Sequence, residues 1–179
     1  MQTKKAIIEF ASDLFLRYGL RKTTMDDVAR ICRIGKATLY KFFRNKEELY
    51  REILRNEMNQ IFEEMERKIK NIKGVRERLV VLFETEYILL RKNMNLPEIL
   101  VSTFENIDIE IKEIADEFFE RQRKLIRSVL EEGVKRGEIV VEDLSLLSLA
   151  MMAAGQGLFS YFRNIKDERK AIRSMEYLI

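Results

Sequence analysis

The chain has 179 residues, enough to bury a good core in one domain or to divide into two small ones. It contains one cysteine, Cys32, and no histidine. An intrachain disulfide is therefore impossible, histidine-dependent hydrolase chemistry is excluded, and a zinc site loses its commonest ligand. The formal net charge is only +3, but residues 1–46 carry 11 Lys+Arg against 4 Asp+Glu, and the remainder carries 22 against 26. Basic charge gathers at the N-terminal end, as an electrostatic footprint on a nucleic acid would require.

Taken in order, the start Met1-Gln-Thr-Lys-Lys leads straight into an amphipathic pattern without a secretory signal, so the cytoplasm is the expected compartment. Ile7, Ala11, Leu14, Phe15 and Tyr18 fall at helical spacing, and Gly19 is expected to end that first helix. Thr24 can cap a second helix, with Asp27 answering three residues on in a capping box. Val28, Ala29 and Cys32 give it an apolar side, which makes Cys32 a small core residue. A tight corner follows at Arg33–Gly35, where Gly35 is expected to supply the conformational freedom. The next helix turns Leu39 and Phe43 inward and carries Lys36, Ala37, Tyr40 and Lys41 on the other side. Two short helices at a sharp angle over about residues 24–43 form a helix-turn-helix, and a small, basic exposed face suits a major groove. Leu14, Phe15, Val28, Leu39 and Phe43 are the expected centre of this head.

Asn45 is placed to cap a fourth helix, with Glu48 as its partner. Lys46 lies in that helix's first turn, where amides and dipole already favour a phosphate. From Lys46 to about Asn71 the apolar pattern of Leu49, Ile53, Met58, Ile61, Phe62, Met65 and Ile69 runs without Pro or Gly, so a stiff helix joins the head to the rest. Gly74 marks a break before a helix from Val75 to about Arg91. Asn93–Pro97 reads as a corner and Glu98–Phe104 as a short sixth helix. A long helix can begin at Asp108 and end at Arg136–Gly137, with a basic last turn and a C-cap glycine. Leu144–Phe162 is apolar nearly all round, yet short and polar for a membrane span. It is expected to be buried on every side, with a second subunit as its cover, and Ala153, Ala154, Gly155 and Gly157 allow close helix approach. Asp167–Ile179 is a final amphipathic helix with Ala171, Ile172, Met175 and Leu178. The expected fold is all-α, about nine helices, with a DNA-binding domain over 1–46 and an effector-binding and dimerisation domain over 47–179.

Thr23-Thr-Met-Asp-Asp-Val-Ala, Lys36-Ala-Thr-Leu-Tyr and Phe43-Arg-Asn-Lys-Glu-Glu-Leu49 resemble the DNA-binding signature of the tetracycline-repressor (TetR) family, over about residues 5–55 without a gap. Three positions depart from it. Arg33 stands where the family has a turn glycine, Gly35 where a serine caps the recognition helix, and Phe42 where a His or Tyr is common. The resemblance implies a dimeric transcriptional regulator, usually a repressor released from operator DNA by a small molecule, with neither catalytic site nor cofactor. On that basis Thr24, Tyr40, Lys41 and Lys46 are expected to position the head on phosphates, and Lys36, Ala37 and Thr38 to approach base edges of double-stranded DNA. Phe62, Phe83, Tyr87, Met94, Phe104, Phe118 and Gln122, with Glu86 nearby, are the expected lining of a mostly apolar effector cavity. Leu147, Met151, Ala154, Gly155, Leu158, Phe162, Ile172 and Met175 are the expected homodimer contacts. Three other readings compete: an architectural DNA-binding protein without an effector, an activator, and an interaction adaptor that has lost DNA binding. An enzyme would need converging polar groups, and Glu86, Glu105 and Glu110 at helical spacing read instead as solvated faces.

Overall fold

A computed structural model describes residues 3–92, 109–162 and 167–179, and every described secondary element is helical. Eight helices are described: α1 (Lys4–Lys22), α2 (Met25–Ile31), α3 (Lys36–Phe42), α4 (Lys46–Ile69), α5 (Val75–Lys92), α6 (Ile109–Lys135), α7 (Leu144–Phe162) and α8 (Glu168–Leu178). The expected helix at Glu98–Phe104, the proposed start at Asp108, Met94, Phe104 and the side chain of Phe162 lie outside the described residues. The chain divides into two compact units: among the described residues, 3–59 and 109–114 form the first and 60–92, 115–162 and 167–179 the second, so the division falls inside α4 and again inside α6.

In the first unit α1 begins at Thr3, whose hydroxyl accepts from the Ala6 amide. Gly19 adopts φ 74° and ψ 171°, a region open almost only to glycine, and interrupts the helix before one further turn to Lys22. The Thr23 hydroxyl closes this break by donating to the Gly19 carbonyl at 2.9 Å. The capping box of α2 is complete: the Asp27 amide donates to Thr24 Oγ1, and the Thr24 amide donates to the Asp27 carboxylate. At the far end of α2, the Ile34 amide reaches the Ala29 carbonyl and the Arg33 amide reaches that of Arg30, the pair of bonds of a Schellman motif. That motif needs a left-handed residue directly after the cap, and Arg33 occupies it at φ 53°. The expectation that Gly35 supplies the freedom is corrected: Gly35 is extended, at φ −68°, and serves as the N-cap of α3 without a side chain to bond.

The head's core is Ile7, Ala11, Phe15, Val28, Cys32, Leu39 and Phe43, all 1% exposed or less. Leu14 is only half-buried and sits outside it. The first turns of α4 belong to this core, because Leu49, Ile53 and Leu54 are fully buried and the Tyr50 ring lies 5.4 Å from that of Phe15. The cap of α4 differs in detail from expectation. Asn45 Oδ1 accepts from the Glu48 amide, but the Glu48 carboxylate reaches past Asn45 to the Arg44 amide.

In the second unit the beginning of α5 is pinned to the end of α6. Glu138 accepts from the Val75 amide, Arg136 donates to the Lys73 carbonyl and pairs with Glu138 at 2.7 Å, and Arg78 pairs with Glu132. Gly133 lets the two helices approach, since a Cβ there would collide with Val75. Gly137, at φ 70°, closes α6 in a second Schellman motif. Asp143 caps α7 by accepting from the amides of Ser145 and Leu146. Asp167 does the same for α8, which packs on α5 and α7 through Ala171 and Met175.

Within its own subunit α7 is covered on one side only. Ser148, Met151, Gly155 and Phe159 face inward, whereas Leu146, Leu149 and Tyr161 are 64%, 47% and 66% exposed. With Ala150, Ala153 and Gly157 they form one outward apolar stripe. Leu144–Tyr161 is also, by length and composition alone, enough to cross a bilayer, contrary to the reading that it is too short and too polar. Only 22% of that stretch is buried inside the subunit, on the side that carries Ser148, Met151, Gly155 and Phe159.

Candidate nucleic-acid interface and effector core

The helix-turn-helix is held by burial on one side and left bare on the other. Leu39 and Phe43 anchor α3 in the head, while Lys36, Ala37, Thr38, Tyr40 and Lys41 are all exposed, Tyr40 by 51%. Lys36 Nζ lies 2.7 Å from Asp26 Oδ2, bridging the first turn of α3 to the first turn of α2. This is a short, solvated ion pair, readily exchanged for a phosphate or a base edge. Thr24 is exposed, but its hydroxyl is already engaged, donating to Asp27 at 2.5 Å and accepting from the Asp27 amide. The hydrogen bond from Thr24, with Arg30 behind it, holds the Asp27 carboxyl below the usual range and keeps the cap ionised.

The structure puts Lys46 in an unexpected place. Its ammonium donates to the carbonyl of Leu20 at 2.9 Å and to that of Thr23 at 3.4 Å. α1 ends at Lys22 with Thr23 as its C-cap, so these carbonyls lie at a helix end and lack helical partners downstream. The lysine at the start of α4 fills that need and clamps α4 to the α1–α2 junction. Arg33 is exposed at the corner and held in a left-handed conformation, at the position where the family signature carries its turn glycine.

In the second unit, the aromatic residues expected around an effector are buried and partly assembled. The Phe62 and Phe118 rings lie 4.9 Å apart, and Tyr87 meets Phe159 edge-on at 5.9 Å. Phe83 packs against Gly155, where an added Cβ would fall 2.6 Å from the ring. Phe159 joins Tyr87 here; the sequence pattern places it only on a helix apolar nearly all round. Gln122, 1% exposed, donates its amide N–H to Glu86. Arg91 donates to the Tyr87 hydroxyl at 2.8 Å, and Arg121 stacks 4.3 Å from the Phe62 ring centre, so a guanidinium group lies beside each aromatic pair. Burial pushes the Glu86 carboxyl up to about 8, against a smaller opposite pull from the Gln122 bond, so it is a neutral acid at pH 7.

The expected dimer contacts separate into two groups. Met151, Gly155 and Met175 are buried within their own subunit. Leu147 and Met151 also line an apolar cleft of about 300 Å³ with Val75, Leu79, Leu130 and Ile139, which includes none of the aromatic residues above. Leu147, Ala154, Leu158 and Ile172 are half-buried. The outward stripe of α7 runs one register away, through Leu146, Leu149, Ala153 and Tyr161.

Residues 7–53 match the bacterial regulatory proteins of the tetR family, and residues 54–156 match the C-terminal region of YsiA-like proteins. The uncharacterised HTH-type transcriptional regulator YhgD of Bacillus subtilis (strain 168) is 34% identical over 157 residues, covering 83% of this chain and 78% of that protein. The fatty acid metabolism regulator protein of the same strain is 24% identical over 133 residues, 74% of this chain and 69% of that protein. Among solved structures, FadR from Bacillus subtilis in complex with stearoyl-CoA superposes with a TM-score of 0.78 at 20% identity, covering 98% of this chain and 97% of that one. The signature across α1 to α4, the exposed basic face of α3, the C-terminal match and the similarity to YhgD agree: this chain belongs to the TetR family of bacterial DNA-binding transcriptional regulators.

Proposed function

We propose that the protein is a cytoplasmic homodimeric repressor that binds a pseudo-palindromic operator and leaves it when an acyl-CoA or related amphipathic molecule enters the C-terminal unit. The bare face of α3 carries the DNA part of this reading: two small residues and two lysines around Tyr40, none of them buried, on a helix anchored by Leu39 and Phe43. Lys36, Ala37 and Thr38 read base edges. Tyr40, Lys41 and the α2 start at Thr24 take phosphates, and Lys46 holds the head in shape for them. One head makes few contacts, so two are needed, and the outward stripe of α7 supplies the self-complementary surface. The effector part rests on the buried aromatic cluster with guanidinium groups beside it, and on the similarity to a fatty acid regulator and to a fold seen with stearoyl-CoA. Helix α4 runs unbroken from the head's core into the second unit, so displacement of its far end is carried to the head. The effector must bind the DNA-free form better than the bound form for release to occur.

Selection of bound sequences from random duplex DNA, then titration of stearoyl-CoA into the complex, tests the whole reading. Inverted half-sites about one or more helical turns apart, with release by stearoyl-CoA, are expected. Binding without release would favour an architectural role. Absence of salt-dependent binding to any duplex would favour an adaptor.

A further inference from the structure

A carboxylic acid and a primary amide can satisfy each other completely by closing a ring of two hydrogen bonds, O–H to C=O and N–H to C=O. Glu86 and Gln122 do not. Gln122 Nε2 donates to Glu86 Oε2, but Gln122 Oε1 is buried without a hydrogen-bond partner. The two side chains are 9% and 1% exposed, so bulk water does not make up the deficit. The amide nitrogen facing the neutral acid cannot accept its proton. An unmet acceptor on α6 thus sits beside a neutral carboxylic acid on α5, on helices that also carry the aromatic residues Tyr87 and Phe118. An unsatisfied buried polar atom is costly, so an apolar pair would serve packing better. The half-made ring instead matches a guest that supplies what is missing.

We propose that the Glu86–Gln122 pair is the polar anchor of the effector site, taking a neutral group that accepts one hydrogen bond and donates another from within an otherwise apolar molecule. A hydroxyl on an acyl chain or a secondary amide of a pantetheine arm has that chemistry; a bare hydrocarbon chain does not. This rests on the effector reading above and adds its selectivity. The bordering guanidinium groups of Arg91 and Arg121 suit an anionic end of the same molecule, but they attract any anion, whereas the anchor distinguishes among them.

Three probes separate the sources: palmitate, 3-hydroxypalmitate and palmitoyl-pantetheine. Each is titrated calorimetrically into the wild-type protein and into Gln122→Leu and Glu86→Leu. A site built to hydrogen-bond rejects analogues lacking the group, so the wild type should prefer 3-hydroxypalmitate, palmitoyl-pantetheine or both over palmitate by about tenfold or more. Preference for one alone identifies the source. Both variants should lose the preference while binding palmitate at least as well as the wild type does. Glu86→Gln, which keeps a donor, should retain part of it. Equal wild-type affinity for all three probes, or an undiminished preference in Gln122→Leu, would overturn the anchor while leaving the effector reading standing. If no probe binds, the effector reading falls and the anchor with it. Should either leucine variant fail to fold, an experimental structure of the unliganded wild type decides the matter independently: an open ring is expected, and a closed two-bond ring between Glu86 and Gln122 overturns the proposal.

Discussion

Glu86 makes the most exposed quantitative claim. Its carboxyl stands at about 8 in the folded chain against the ordinary 4.5, chiefly because it is buried. Below pH 4.5 the group is protonated in both folded and unfolded states and contributes no pH dependence. Between 4.5 and 8 the unfolded chain releases the proton and the folded chain keeps it, so the folded state binds more protons and stability falls as pH rises. The slope approaches about 1.4 kcal/mol per pH unit, so roughly 3 kcal/mol is lost by pH 7 and on the order of 5 kcal/mol once the folded group also ionises. Glu86→Gln removes the titration while keeping shape and a hydrogen-bonding head. Urea unfolding of both proteins at pH 5, 6, 7 and 8, at one protein concentration, isolates the effect, because all other carboxylates cancel in the difference. The variant's advantage should grow steadily across that range. A difference that stays flat would show that Glu86 ionises normally and that the core around it is wet or charge-compensated.

The remaining predictions concern the head, the subunit contact and the connection between them. Arg33→Gly relieves a left-handed arginine and should stabilise the head by about 1 kcal/mol, raising the melting temperature by roughly 2–4 °C; a lower melting temperature would mean that the arginine side chain contributes more than its backbone costs. Lys46→Ala strips a charged donor from two carbonyls and should cost about 1–2 kcal/mol in urea unfolding while leaving the salt slope of DNA binding unchanged; a slope flatter by about one would instead place the ammonium on a phosphate. Ala153→Glu puts a charge in the middle of the outward stripe of α7 and should give monomers by sedimentation at micromolar concentration, with operator binding weakened. A dimer that survives this change must use another face. Two glycines inserted after Met58 should leave DNA binding and effector binding intact but abolish release of one by the other; retained release would mean that α4 is not the transmitting element.

Much of this protein is written in neighbouring residues. The capping box of Thr24 and Asp27, the stop at Gly137 and the uninterrupted run of α4 depend on side chains within a few positions of each other, so local stereochemistry alone determined them. The same holds for the exposed face of α3, because Leu39 and Phe43 leave only one way for that helix to turn. Which of Arg33 and Gly35 takes the left-handed corner escaped composition; the turn glycine of the family signature stood at Arg33, and the backbone bonds that close the end of α2 agree with it. Tertiary structure alone settled what pairs across long separations. Lys46 meets Leu20 and Thr23, 26 and 23 residues away, and Gln122 meets Glu86 from 36 residues away, on another helix. It also settled which side of α7 looks outward. Periodicity reads orientation from contrast between polar and apolar positions, and a helix with almost no polar residues offers none, so its facing was set by what packs on it: Phe83 against Gly155 and Tyr87 against Phe159.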